Sequence, residues 1–304
     1  KGIVIKDKNN NEWVWIEVPK TTVFSGLTID TTKTLTEQNY ADIKNKLIEY
    51  ATTYRDSWTD EYYSGCGMTS DEYTAAYQKM LKSVYTYGGF WIGRYEAGIE
   101  GSIEDMSKER KSLSERITIG SSPKAISQKD AIPYNYVYCS EAQALAKEMT
   151  PNSNYTSSLM FGIQWDLVCK YLEVKGRLSV ADIKENSSSW GNYSNVSRTI
   201  SSDKAKQSTD YGSTWKSITG MKSASRIILS TGASDETNKM NIYDFAGNEY
   251  EWTLEHTSSS DVPCANRGGD YYNSSSSIPA SNRSSDGTTG AYSGIGFRPT
   301  LYVN

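Results

Sequence analysis

The sequence predicts an α+β domain that is rich in loops and has short antiparallel strands and a few helices. Helical spacing of apolar residues is confined to a few stretches, and short β-rich runs alternate with polar segments elsewhere. Residues 184–223 show neither period and are rich in Ser, Asn, Thr, Lys and Gly, which predicts a long irregular insertion. Such a fold is typical of domains that carry their functional surface on ordered loops.

Two of the helices are predicted from their capping residues. Thr36 is a candidate N-cap for a helix whose apolar positions continue to Tyr54. Thr69 and Glu72 form a candidate capping box for a second helix, which Gly88 ends. Two shorter helices are predicted at residues 140–149, with Ser140 and Gln143 as the cap, and at residues 161–172.

Strand candidates lie towards both ends of the chain. Residues 12–19 form a β-rich run that a proline ends, and residues 90–98 are typical of a central strand. Further short strands are predicted at residues 225–229, 249–254, 266–270 and 297–303. We expect residues 1–85 to form a strand and helix extension that packs on a main domain of residues 86–304.

The composition excludes several classes of function. The chain has 304 residues, a formal net charge of −4 and a pI of about 5.3, so no nucleic-acid partner is expected. No apolar run approaches the length of a membrane helix, and the start, Lys1-Gly2-Ile3, is neither a signal peptide nor an initiator sequence. We therefore expect a trimmed or processed chain without membrane insertion. The charged run at residues 104–116 is predicted to be a solvated loop or helix face.

Residues with nucleophilic or metal-binding side chains are few and widely spaced. Cys66, Cys139, Cys169 and Cys264 show no paired spacing, so we expect buried free thiols. His256 is the single histidine, which excludes metal sites built from several imidazoles. Because its surroundings lack the Gly-x-Ser-x-Gly turn of a nucleophile, it is expected to be a surface or hydrogen-bonded histidine.

The stretch from residue 270 to residue 295 has an unusual composition. It is rich in Tyr, Ser, Asn, Gly and Asp, and it contains no Lys, Glu, Gln, Trp or Met. Tyr offers a large amphipathic contact at little entropic cost, and small polar residues adapt their hydrogen bonds, as in general-purpose binding surfaces. A solvated low-complexity loop has a similar composition, but turn-forming Gly268-Gly269 and the run Ile295–Pro299 frame this stretch. We therefore predict a ligand-binding face at about residues 267–299.

Four motifs follow one another along the chain. They are Phe90-Trp91-Ile92-Gly93-Arg94-Tyr95-Glu96, Phe245-Ala246-Gly247-Asn248-Glu249-Tyr250-Glu251-Trp252-Thr253, Arg267-Gly268-Gly269-Asp270 and Gly296-Phe297-Arg298. Together they resemble the ordered signature of the formylglycine-generating enzyme family, also called the sulfatase-modifying factor family. The resemblance covers roughly residues 86–304 and implies a loop-rich variant of the C-type lectin fold.

Within that family, a Tyr/Ser/Asn-rich stretch before Gly-Phe-Arg-Pro is most similar to the variable proteins of diversity-generating retroelements. Adenine-directed mutagenesis rewrites the C-terminal codons of those phage and bacterial proteins. An AAC codon altered at its adenines yields Asn, Ser, Thr, Ile, Asp, Gly, Ala, Val and Tyr among others, but not Lys, Glu, Gln, Trp, Met or a stop. Residues 270–295 match that set.

The resemblance implies a ligand-binding role for a defined group of residues. They are Asp270, Tyr271, Tyr272, Asn273, Ser275, Ser277, Ile278, Asn282, Ser284, Ser285, Asp286, Tyr292 and Ser293. Tyr271, Tyr272 and Tyr292 are the expected centres of binding, because large aromatic side chains dominate binding energies. The residues between them that are expected to belong to the scaffold are Pro279, Ala280, Ser281 and Arg283.

The resemblance also bears on catalysis. Enzymes of this family use a pair of cysteines just beyond the Arg-Gly-Gly motif, where thiolates bind copper and the substrate thiol. The corresponding stretch, Tyr272–Ile278, contains no cysteine, so that chemistry has neither nucleophile nor metal ligand. Cys264 lies upstream and is expected to pack beneath a strand. We therefore expect a protein that is not an enzyme and requires no cofactor.

A structural calcium ion is the one metal that the resemblance implies. It would be held by the side chains of Asp244 and Glu251 and by the carbonyl groups of Gly247 and Glu249. Calcium takes about six to eight oxygen ligands, so these donors would need water or further chain. The alternative is that Glu251 is a buried carboxylate that accepts backbone hydrogen bonds without a metal. The sequence leaves both open.

These expectations lead to a non-catalytic protein that displays a diversified surface to a protein or glycan target on a bacterial surface. A receptor-binding or tropism role would place it on a virion or on a bacterial cell surface. Two alternatives stay open at this stage. One is an enzyme of the same family, such as an oxidase acting on a thiol, and the other is a structural component of a phage tail.

Overall fold

The structure is a computed structural model, and it describes residues 1–101, 123–150 and 154–304. The charged run at 104–116 lies outside these residues. The α-helices that the structure describes are α1 (Lys20–Val23), α2 (Glu37–Tyr50), α3 (Ser70–Tyr87), α4 (Cys139–Glu148), α5 (Gly162–Val174) and α6 (Val180–Lys184). None of the helices in these ranges combines the length and the apolar character needed to cross a membrane.

The strands are short and are spread along the chain. They are β1 (Val4–Lys6), β2 (Glu12–Glu17), β3 (Gly89–Gly93), β4 (Gly98–Ile99), β5 (Ala125–Ile126), β6 (Tyr155–Leu159), β7 (Arg198–Thr199), β8 (Lys206–Ser208), β9 (Lys216–Ser217), β10 (Met221–Lys222), β11 (Ile228–Leu229), β12 (Tyr250–His256), β13 (Cys264–Arg267), β14 (Arg283–Asp286), β15 (Ile295–Phe297) and β16 (Pro299–Val303). Four of them, β7 to β10, lie in the predicted irregular insertion and have two or three residues each.

Helices α2 and α3 begin at the residues that the sequence predicts. The hydroxyl of Thr36 accepts a hydrogen bond from the Asn39 amide at 3.2 Å, and the Thr69 hydroxyl accepts one from the Glu72 amide at 3.2 Å. The carboxylate of Glu72 in turn accepts from the Thr69 amide at 2.9 Å, which completes the predicted capping box. Helix α3 ends at Gly88, whose φ of 76° is accessible to glycine without strain.

The prediction that Ser140 and Gln143 cap α4 is wrong. The helix begins at Cys139, and the amide of Tyr138 donates to the carboxylate of Glu141 at 2.8 Å. Gln143 is fully buried instead, and its side-chain oxygen accepts from the Leu159 amide at 2.9 Å. A glutamine at this spacing therefore ties α4 to β6, which a local capping pattern does not reveal.

A five-stranded sheet joins the two ends of the chain. Its order is β1-β2-β3-β16-β6, so β3 is central, as predicted. Strand β3 ends at Gly93, earlier than the predicted residue 98, because the chain turns there and sends the Glu96 carboxylate into the interior. Helix α3 packs against both β3 and β16. The predicted division at residues 85 and 86 falls inside α3 and stays a prediction.

A second sheet carries the C-terminal face. Its order is β14-β13-β12-β15, with β12 and β15 parallel and the other pairs antiparallel. The predicted strand at 266–270 ends at Arg267, because Gly268 and Gly269 turn the chain with φ values of 93° and 80°. Helix α5 packs between the two sheets, where Trp165 stacks on Phe245 with ring centroids 4.1 Å apart.

Candidate ligand-binding face

A depression of about 270 Å³ opens at the edge of the second sheet. We call it the tyrosine depression and define it by its lining residues. They are Tyr211, Tyr250, Asn266, Asp270, Tyr271, Tyr272, Ser284, Asp286, Tyr292, Ser293, Gly294 and Ile295. The predicted binding residues that it brings together are Asp270, Tyr271, Tyr272, Ser284, Asp286, Tyr292 and Ser293.

The three tyrosines predicted as centres of binding have different environments. Tyr271 has only 2% of its surface exposed, and its hydroxyl lies 3.0 Å from the hydroxyl oxygen of Ser293. Tyr272 is half-buried and meets Tyr271 edge to face, with centroids 6.4 Å apart. Tyr292 is 52% exposed. Tyr271 therefore supports the depression from below, while Tyr272 and Tyr292 present their rings to solvent.

Arg226 holds the ring of Tyr272 in place. Its guanidinium lies 3.7 Å from the centroid of that ring, and its Nη1 donates to the Tyr272 hydroxyl at 2.8 Å. Tyr211, from the irregular insertion, lies on the same side with its centroid 6.2 Å from that of Tyr272. The insertion thus contributes one wall of the tyrosine depression.

Carboxylates and an amide form the base of the tyrosine depression. Asp270 Oδ1 accepts hydrogen bonds from the backbone amides of Tyr272 at 3.2 Å and Asn273 at 3.1 Å. On the neighbouring strands, Asn266 Nδ2 donates to Asp286 Oδ2 at 3.0 Å. Burial raises the pKa of both Asp270 and Asp286 above the ordinary value.

The other predicted binding residues lie outside the tyrosine depression. Asn273 and Ser277 are exposed, and Ser285 is half-buried on β14. Ser275 is fully buried and pairs with the Asn195 side chain, whereas Ile278 is 9% exposed and belongs to the hydrophobic core. The remaining residue of the predicted set is Asn282, whose side-chain oxygen accepts from the Tyr250 hydroxyl at 3.0 Å.

Sequence reasoning missed several residues of this face. Tyr250 lies inside a family motif and was not among the predicted binding residues, although it lines the tyrosine depression. Tyr211 and Arg226 lie far from the C-terminal stretch in sequence, so local composition gives no sign of them. The one available signal was that aromatic residues interrupt an otherwise polar insertion.

A network of buried ion pairs lies beneath the C-terminal stretch. Arg267 is fully buried and donates to Glu255 and to Asp166, each at 2.9 Å. Arg283 donates to Asp166 at 2.6 Å and to Glu255 at 3.0 Å, so it points inward, as expected for a scaffold residue. Burial would raise the pKa of Glu255, but the guanidinium groups of Arg267, Arg283 and Arg55 offset it and lower this pKa.

Residues 72–301 match the family of sulfatase-modifying factor enzyme 1-like domains. The chain belongs to this family. No curated protein matches it. Among solved structures it is similar to CarF, at 14% identity and a TM-score of 0.41, over 71% of this chain and 87% of that one. It is also similar to the variable protein 1 of Treponema denticola, at 14% identity and a TM-score of 0.39, over 71% and 85% of the two chains.

Membership of the family confirms the resemblance that the four motifs carry and the loop-rich α+β fold of the C-type lectin type. Residues of these motifs are joined to one another by buried hydrogen bonds. Arg298, from the last motif, is fully buried and binds both carboxylate oxygens of Glu251, from the second motif. Asn248 donates to the buried Glu96 carboxylate at 2.6 Å, which joins the first motif to the second.

Two of the four predicted calcium donors, Asp244 and Glu251, have other hydrogen-bond partners in this arrangement. Asp244 accepts from the Gly232 amide at 2.7 Å and from the Thr237 hydroxyl at 2.8 Å, and Glu251 is occupied by Arg298. Over residues 1–101, 123–150 and 154–304, no group of three or more His, Cys, Asp or Glu side chains is arranged for a metal. Glu251 is buried as in the metal-free alternative, but a guanidinium rather than the backbone donates to it.

The cysteines are buried free thiols, as predicted. Cys264 is fully buried on β13, and the only histidine, His256, stacks on Tyr63 with ring centroids 5.1 Å apart. The thiol of Cys139 lies 3.4 Å from the Tyr63 hydroxyl. None of these groups lines the tyrosine depression.

Proposed function

We propose that this chain is a non-catalytic binding protein of the diversity-generating retroelement type, which presents the tyrosine depression and its rim to a macromolecular target. The proposal rests on the different positions of two groups of side chains within residues 267–299. Residues that support the fold, such as Arg267, Arg283 and Arg298, point into the buried ion pairs. Residues of the predicted variable group, such as Tyr272, Ser284 and Tyr292, surround one open depression.

This division is what a rewritable surface requires. A position can change freely only where its side chain does not support the fold, because exposed substitutions usually alter stability by no more than about 0.5 kcal/mol. Tyr292 is half-exposed, and Asn273 and Ser277 are exposed. Ser275, Ile278 and Tyr271 are buried, so we propose that they vary less than the other residues of the predicted set.

The absence of catalysis is part of the proposal and rests on the residues of the face. Hydroxyl, amide and carboxylate groups line the tyrosine depression, together with tyrosine rings. None of its lining residues is a cysteine, so the depression lacks the thiolates that the sequence analysis names for the enzymes of this family. Large rings beside adaptable small polar groups serve binding to a protein or a glycan on a bacterial surface.

The test is deep sequencing of the 3′ end of the gene across a population. We expect substitutions confined to codons 270–295, traceable to template adenines and concentrated at Tyr272, Asn273, Ser277 and Tyr292. The codons for Arg283 and Ala280 serve as internal controls and should not change. A uniform sequence across the population would contradict the diversified role.

A further inference from the structure

At the base of the tyrosine depression, one buried polar atom is an acceptor without a hydrogen-bond partner. Asn266 is 1% exposed, and its side-chain oxygen has no hydrogen-bond partner among the residues that the structure describes. The orientation of this amide is fixed by chemistry, because its nitrogen donates to the carboxylate of Asp286 and a carboxylate cannot donate in return. The oxygen therefore remains an acceptor that a ligand can satisfy.

Two carboxylates, Asp270 and Asp286, line the tyrosine depression with this amide, and the charge of Arg226 acts on the first of them. Neither Asp270 nor Asp286 forms an ion pair with a lysine, arginine or histidine in the described part of the chain. Burial raises the pKa of Tyr250, and the negative charges of Asp270 and Asp286 raise it further. Both carboxylates therefore lie near the Tyr250 hydroxyl. That hydroxyl already donates to Asn282, so it supplies no proton to either carboxylate.

The surrounding rings suit a cation as well. Tyr211, Tyr271, Tyr272 and Tyr292 line the same depression, and the faces of such rings attract ammonium and guanidinium groups. Arg226 shows this chemistry on the chain itself, since its guanidinium stacks on Tyr272 at 3.7 Å. None of the lining residues is a lysine, arginine or histidine, but Arg226 stands beside the depression and its charge acts on Asp270.

We propose that the tyrosine depression receives a lysine or arginine side chain of a protein target, with Asp270, Asp286 and the Asn266 oxygen as acceptors and the tyrosine rings as walls. This inference deepens the proposed function and rests on it, because it names the chemistry that the face recognises. A basic side chain brings only donors, which match the two carboxylates and the Asn266 oxygen at the base of the depression.

The test uses small probes on the intact protein. Nα-acetyl-lysine methylamide and Nα-acetyl-arginine methylamide are titrated while the side-chain amide of Asn266 and the backbone amide of Gly294 are followed by NMR. Nα-acetyl-norleucine methylamide is the neutral control of similar shape. We expect saturable shifts with the cationic probes and none with norleucine, and the Asp286→Asn variant should weaken binding about tenfold.

A second control, besides the norleucine probe, tests whether the effect is local. Asp203→Asn removes an exposed carboxylate outside the tyrosine depression and should leave the titration unchanged. Equal binding of norleucine, an Asp286→Asn variant that binds normally, or tighter binding of glucosamine than of the lysine probe would each overturn the inference. The proposed function is judged separately by the codon survey, since variable codons with negative titrations reject the cation site alone.

Discussion

The C-terminal stretch contains two regions that use polar residues in opposite ways. In the buried network, Arg267 and Arg283 share Asp166 and Glu255, and the side chains of Asp166 and Glu255 are fully inaccessible to solvent. In the tyrosine depression a short distance along the chain, Asp270 and Asp286 have no such partners. Paired buried charges thus fix the frame, while the carboxylates without ion-pair partners are the ones that we propose a ligand satisfies.

The difference also explains how a surface can change while the fold persists. Breaking one partner of a buried ion pair leaves an uncompensated charge in the interior, which costs far more than an altered exposed ring. The network links α5, β12, β13 and β14, so the frame of the face is held from several elements at once. The exposed residues around the tyrosine depression therefore take no part in holding that frame.

The largest effect should follow from Arg267→Ala. Removing this guanidinium leaves Asp166 and Glu255 undercompensated in the interior, so we expect the free energy of unfolding to fall by about 3–5 kcal/mol. Urea denaturation measures the loss. The control is Arg226→Ala, which removes an exposed guanidinium and should cost about 1 kcal/mol or less. Similar losses in the two variants would contradict the comparison.

The next largest difference in stability is expected between two tyrosines that line the depression. Tyr271→Ala empties a buried site beside Ser293, and we expect it to cost about 3 kcal/mol. Tyr292→Ala removes a half-exposed ring and should change stability by about 0.5 kcal/mol or less. Thermal unfolding of both variants provides the measurement. A stable Tyr271→Ala variant would move this ring from the frame to the display surface.

The sequence predicted the parts of the fold that local chemistry determines. The capping residues of α2 and α3 and the central position of β3 follow from hydrogen-bonding side chains and β-rich runs near each element. It could not predict that Gln143 bridges to β6 or that Tyr211 reaches the C-terminal face, because both depend on contacts between distant segments. Composition located the candidate face but could not distinguish Tyr271, which is buried, from Tyr292, which is exposed.

A buried lysine extends the comparison to the pH dependence of stability. Lys222 donates to the carbonyl oxygens of Tyr193 and Val196 at 2.7 and 2.9 Å, and no carboxylate pairs with it in the described part of the chain. Burial, together with the smaller effect of the charge of Arg198, lowers the pKa of Lys222 to about 7. The unfolded chain keeps this proton up to its ordinary pKa of about 10.5, so stability from this group should rise between pH 7 and pH 10.

The measurement is the free energy of unfolding at pH 7 and at pH 9 for the native chain and for Lys222→Met. Other groups also titrate over this range, so the informative quantity is the difference between the two proteins. We expect a smaller rise with pH in the variant, because it lacks the proton that the folded chain releases. An equal rise in both would show that the ammonium group is solvated.

The smallest effect is expected for calcium. Arg298 already neutralises Glu251, with its Nη2 2.7 Å from a carboxylate oxygen, so a divalent cation would meet a positive charge where the family resemblance places its ligand. We expect the melting temperature in millimolar calcium to differ from that in EGTA by less than about 1 °C, because only binding to the folded state raises it. A clear rise with calcium would show that Arg298 yields its place to the ion. The buried pair of Glu251 and Arg298 would then be an alternative to a metal site rather than a replacement for it.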